Sequence, residues 1–227
     1  MTSISSPSTT RTRLLQLGLF ALSLLLGIIG GVLLLLLWQN SWAAAVETAV
    51  LPGIGEKTPW YLTRSAGVVA YLLLTGSTAW GLLLSTKIIK EAVAPPLALA
   101  MHNILSWLAL ELTAVHLITL LFDNYYQYTL ADLFIPFLGP YRPGWVGVGI
   151  LGFYLIFAIT LSFSFRKQLG QKRWRQLHYL AFVAYLSATI HGVMAGTDST
   201  GTGMQLVYLG SVLLLLFLTN YRLLASR

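Results

Sequence analysis

Residues 101–117 read MHNILSWLALELTAVHL, which sets His102, His116 and Glu111 inside a run otherwise apolar enough to cross a bilayer. An ionisable side chain at bilayer depth is unfavourable by roughly 2–3 kcal/mol or more, so such residues demand a function. The remaining histidines indicate which. The chain has four, and all fall in or at the edge of two apolar runs: His102 and His116 in 97–122, His178 and His191 in 177–195.

Working outward, 56% of the residues are hydrophobic and only 9% charged, far below the roughly one quarter of a soluble domain. This composition predicts an integral, multi-pass membrane protein. Six runs reach the length of about 20 residues that spans a hydrocarbon core: 14–38, 60–85, 97–122, 145–165, 177–195 and 203–221. The predicted fold is an all-α bundle of six transmembrane helices, residues 14–227 forming one domain behind a disordered tail at 1–13. The first run is longer than the roughly 7–15 apolar residues of a signal peptide and reads as a retained helix. Eleven Lys and Arg outside the runs fall on one side and only Lys57 and Arg142 on the other, which predicts cytoplasmic termini in a plasma (inner) membrane. The net charge of +7 is thus distributed as topology, in short blocks between apolar runs, and not as a nucleic-acid-binding stripe. With no cysteine, disulfides, iron–sulfur clusters and thiolate metal sites are excluded.

In this topology both histidine-bearing helices run in the same direction. His102 and His178 share the inner level, and His116 and His191 share the outer one. Separations of fourteen and thirteen residues correspond to roughly 20 Å along each helix axis. This matches two macrocycles, one per leaflet, each held by an imidazole from either side. The expected cofactors are two molecules of haem b (heme b), since no Cys-x-x-Cys-His is present for covalent attachment. Ser106, Ala109 and Thr113 between the first pair, and Ala184, Ser187 and Ala188 before His191, leave room on that face; Phe182 and Tyr185 lie near His178. Thirteen residues of straight helix leave His178 and His191 roughly 140° apart, so a distortion or an irregular first turn at His178 is expected. Polar glue between helices would not explain two level-matched pairs, and one compact metal site could not use ligands roughly 20 Å apart, which leaves a histidine-based metal transporter as the lesser alternative.

The stretches LAMHNILSWLALELTAVHL and GQKRWRQLHYLAFVAYLSATIHGVMAG together resemble the ferric reductase-like transmembrane domain over roughly residues 60–221. That family includes the membrane parts of NADPH oxidases and ferric reductases and the haem-binding subunit of the bacterial periplasmic methionine sulfoxide reductase system. TRSAGVVAYLLL and KRWRQLH look most like that subunit, although His102 stands where an arginine is common there. The resemblance implies an oxidoreductase component that passes electrons from a cytoplasmic donor through His102/His178 haem and His116/His191 haem to ferric or cupric ion, dioxygen or a periplasmic reductase. An alternative is a non-catalytic membrane subunit that docks and reduces a periplasmic methionine sulfoxide reductase. No dinucleotide-binding G-x-G-x-x-G stands in a strand-to-helix context and the chain stops shortly after Tyr221, so a separate flavin reductase or a membrane quinol is the expected donor.

Other residues carry secondary expectations. Arg64, near the outer side of 60–85, suits a haem propionate or snorkels to the interface. Glu111 is turned about 180° from His102 and is expected to pair with Arg64 or another donor, to stay protonated, or to relay protons. Trp107 and Phe182 are candidates for electronic bridging between haems. The aromatic, proline-rich connection 123–144 reads as an amphipathic cover over the outer haem. The connection 166–176, with five basic residues, suits anionic lipid or an acidic donor flavoprotein.

Overall fold

The computed structural model describes residues 55–84, 86 and 91–225. The chain divides into two compact units, Met1–Glu56 and Lys57–Arg227, and the architecture below is that of the second. The expected tail 1–13 and span 14–38 lie outside the described residues.

A single 3-10 turn, Gly55–Lys57, leads into α1 (Thr58–Leu83), followed by α2 (Pro95–Leu120), a short α3 (Leu130–Phe134) and α4 (Pro143–Ser162). After a 3-10 turn at Phe163–Phe165 come α5 (Arg166–Leu169), α6 (Gln171–His178), α7 (Leu180–Ala195) and α8 (Thr202–Ala225). No strand occurs among the described residues, and five helical stretches are long and apolar enough to cross a membrane: Thr58–Leu83, Pro95–Leu120, Pro143–Leu169, Gln171–Ala195 and Thr202–Leu224. The chain is therefore all-helical in its described part and of multi-pass character.

Three of the long helices carry proline in their first turn. Pro59, Pro95 and Pro143 sit in first turns, where the missing N–H is an orphan in any case. Ala94, before Pro95, is extended at ψ 131° because proline disfavours the helical region for its predecessor. The segment 166–176, expected as a loop, is instead helical on both sides of a single residue. Gly170 has φ 78° and ψ 148°, a conformation essentially confined to glycine, and so ends α5 and starts α6 without a longer connection.

α1 packs along α2, and α4 along α7; α8 and α7 also lie on α1, and α2 touches α4. One core cluster, Tyr71, Leu82, Tyr185, Leu215 and Leu218, joins α1, α7 and α8. Another, Leu110, Ile156, Ile159 and Ala184, joins α2, α4 and α7. The first holds a buried hydroxyl network: Tyr71 Oη lies 2.5 Å from Ser211 Oγ, 3.0 Å from Tyr185 Oη and 3.2 Å from Thr189 Oγ1. The outward face of α8 exposes Leu206, Leu209, Leu213, Leu216 and Phe217. Water rejects such a surface and hydrocarbon accepts it.

Candidate functional site

α2 presents His102 and His116 fourteen residues apart, and α6 ends on His178 while α7 carries His191. The structure brings His102 to His178, with ring centroids 5.9 Å apart and planes at 73°, and His116 to His191, at 6.2 Å and 77°. α2 and α7 pack closely against α1 and α4 rather than against each other, so the rings meet across a gap between their helices. The angular mismatch of a straight helix is relieved at Tyr179, which separates α6 from α7. There Phe182 N–H donates to the Tyr179 carbonyl at 3.2 Å, three residues back rather than four, which tightens the chain locally.

Glycines make space for three of the four rings. A β-carbon at Gly67 would stand 2.9 Å from His116 Nδ1, one at Gly81 would stand 3.1 Å from His102 Cε1, and one at Gly149 would stand 2.6 Å from His191 Nδ1. Gly67 and Gly81 are themselves fourteen residues apart on α1, so antiparallel packing of α1 on α2 repeats one glycine–histidine seat at two depths. The composition rule that small residues line helix contacts in membranes has here a specific occupant, an imidazole ring.

Each seated ring is also oriented. His116 Nδ1 donates to the Thr63 carbonyl at 2.8 Å and His191 Nδ1 to the Trp145 carbonyl at 3.0 Å. His102 Nδ1 lies 3.1 Å from the Ser77 carbonyl and 3.3 Å from Ser77 Oγ, which in turn bonds Ser106 Oγ at 2.7 Å. A carbonyl only accepts, so each Nδ1 carries the proton and each Nε2 keeps a lone pair. At the His116/His191 level both Nε2 atoms therefore keep lone pairs, and neither ring has an N–H left to donate to the other. Such a pair accepts an electrophile such as a metal ion. His178 differs, because its Nδ1 is buried without a partner, as is Nε1 of Trp174, which stacks on the His178 ring at 5.1 Å.

The spacing can be set against that of imidazoles on a shared metal. A metal–imidazole nitrogen bond of about 2 Å, plus about 1.1 Å from nitrogen to ring centre, places two axial rings about 6 Å apart, the separation found at both levels. Among the described residues no three His, Cys, Asp or Glu gather as a metal site, so a bare ion would have too few protein ligands, whereas a macrocycle brings its own equatorial nitrogens. Two cavities, of 190 and 140 Å³, adjoin His102 and His178 and share Gly81, Ser106 and Trp174. The larger extends to Tyr179, Phe182, Arg175 and Arg222; the smaller reaches Leu99, Asn103, Trp107 and Phe163. At the His102/His178 level, opposed imidazoles with open space on two sides would admit a flat group, held by His102 and His178.

Arg64 stacks on Trp60 with its guanidinium carbon 3.9 Å from the ring centre and pairs with Asp198. The expected pairing of Glu111 with Arg64 is therefore replaced: Asp198, in the α7–α8 connection, takes the guanidinium, and half-buried Glu111 does not. The connection 121–142 is ordered by Asp123, whose Oδ1 accepts from the Tyr125 and Tyr126 N–H groups at 2.7 and 2.8 Å, and by a capping box of Thr129 and Asp132 around α3. Tyr141 Oη donates to the Ala195 carbonyl at 3.1 Å and Arg142 Nη1 to the Met194 carbonyl at 2.6 Å, fastening this connection to the end of α7. Sequence reading passed over Gly67, Gly81, Gly149, Ser77, Trp174 and Arg222. Only the fourteen-residue glycine spacing was a signal available to it. Compared with known proteins, the chain matches no family model, no curated protein and no solved structure.

Proposed function

We propose that this chain is a transmembrane electron conduit of the ferric reductase-like kind, holding two b-type haems through His102/His178 and His116/His191. The observation that carries this reading is the pair of imidazole pairs, each about 6 Å across and stacked along α2, with carbonyl acceptors on three Nδ1 atoms. Haem supplies a one-electron iron couple when bound. The protein's own residues do the rest. The carbonyls of Thr63, Ser77 and Trp145 fix ring orientation and tautomer, as the outer partners of ligating histidines generally do. Gly67, Gly81 and Gly149 admit the rings, and the apolar helices keep water away from both levels. On this reading the His102 level faces the cytoplasm, where the basic helices α5 and α6 receive a flavin-bearing donor, with a membrane quinol as the alternative donor, and the His116 level serves an acceptor outside.

The test is an optical spectrum of the purified, haem-replete protein with a pyridine haemochrome count. Two haems per chain are expected, with His102→Ala or His178→Ala removing one spectral component and His116→Ala or His191→Ala the other. A preparation with no Soret band rejects the reading, and a count near one restricts it to a single level.

A further inference from the structure

Resting on that two-haem reading, we infer that the His102/His178 level is the higher-potential site of the two, set there by Arg222 and by the unbonded Nδ1 of His178. Reduction adds one electron to a ferric iron and lowers the local charge by one. A residue that favours the lower charge raises the potential, and a ligand that donates more electron density to the iron lowers it.

Three observations point the same way. At the His116/His191 level both ligands donate Nδ1–H to backbone carbonyls, at 2.8 and 3.0 Å, which makes both imidazoles more basic and favours the ferric state. At the His102/His178 level one ligand has a longer carbonyl bond, 3.1 Å, and the other has none. The inner cavity is lined besides by two guanidiniums, half-buried Arg222 and exposed Arg175, and neither forms an ion pair among the described residues. At the other level the guanidinium of Arg64 is matched by Asp198, and that of Arg142 sits on the Met194 carbonyl, where the negative end of the α7 dipole offsets it. The His116/His191 level lies the deeper of the two, which by itself favours the less charged ferrous state there, so the inferred order has hydrogen bonding and unmatched charge outweighing depth. Both of these place the inner level higher.

The experiment is a spectroscopic redox titration of the full chain in nanodiscs, reduced with dithionite and reoxidised with ferricyanide through mediators. Two one-electron components are expected, the higher lost in His178→Ala and the lower in His191→Ala. Arg222→Gln should move the higher component down by about tenfold in its reduction equilibrium, ~59 mV for one electron, and leave the lower in place, while Arg222→Lys should keep most of the wild-type value. Should the histidine variants fail to fold, the Arg222 pair alone decides. The inference is overturned if the higher component disappears with His191→Ala, if the two components coincide, or if Arg222→Gln shifts both or neither. A protein without haem overturns the proposed function instead, and the haem count distinguishes the two failures.

Discussion

Gly149 is where a single methyl group meets the chemistry most directly. Gly149→Ala would press a β-carbon to 2.6 Å from the His191 ring, an overpacking expected to destabilise the protein by about 1–3 kcal/mol. It should selectively weaken the spectral component that belongs to His116 and His191. Gly76, with open space around its missing β-carbon, is the matched control: Gly76→Ala should be neutral or stabilise the fold by up to about 1 kcal/mol in the same thermal unfolding series. A second residue-scale test concerns the hydroxyl hub. Tyr71→Phe removes one partner each from Ser211, Tyr185 and Thr189, which keep bonds to one another or to the backbone, with an expected loss of about 1 kcal/mol, the usual size for side-chain hydrogen bonds in membranes. A double-mutant cycle with Ser211→Ala should show strong coupling; simple additivity would show that the hub is not one network. At this scale the candidate ligands are legible because a histidine in an apolar run is conspicuous. Their seats are not, because Gly67 and Gly81 acquire meaning only from the antiparallel register of α1 on α2, which neither helix encodes alone.

Among the elements, long apolar runs announce α1, α2 and α4 from the sequence alone, since both lipid and neighbouring helices demand the same apolar surface. The basic stretch 166–176 misleads for the opposite reason. Charge and glycine read as loop, yet Gly170 needs only one residue to turn the chain, and the charges ride on α5 and α6. The Arg64–Asp198 pair was equally hidden, because it joins α1 to a connection far along the chain. The connection carrying α3 is open to a pH test. The Asp132 carboxyl, held by the Thr129 hydroxyl and backbone N–H, lies below its ordinary range. The cap it forms is therefore intact above the unfolded value near ~3.9 and is lost as pH falls through the lower folded value. A carbon-13 titration should find the Asp132 midpoint lower in the wild type than in Thr129→Ala. Tyr128 is shifted the other way, up to about 12, by burial first and then by Asp123, Tyr141 and Tyr126. Its neutral form supports the loop below the unfolded value near ~10, and that support disappears as pH rises through about 12. Tyr128→Phe should lack one late step in the tyrosinate absorbance titration.

For the whole molecule, the proposed orientation makes a clean labelling prediction, because the chain contains no cysteine and any introduced thiol is unique. In right-side-out vesicles an impermeant maleimide should label Thr200→Cys and spare Lys172→Cys, two exposed positions at opposite ends of the α6–α7 stretch. The reverse pattern would turn the conduit around. Donor docking on the basic helices should weaken with salt, so the haem reduction rate should fall as ionic strength rises. The interruption at Tyr179 has a mechanical corollary. An unbroken rod would transmit any torque from its basic end straight to His191. Where the backbone bonding changes from four-residue to three-residue spacing at Tyr179, a rotation of α6 need not pass undiminished into α7, whose own seat on α4 is set by Gly149 beside the His191 ring and Gly152 beside Ser187.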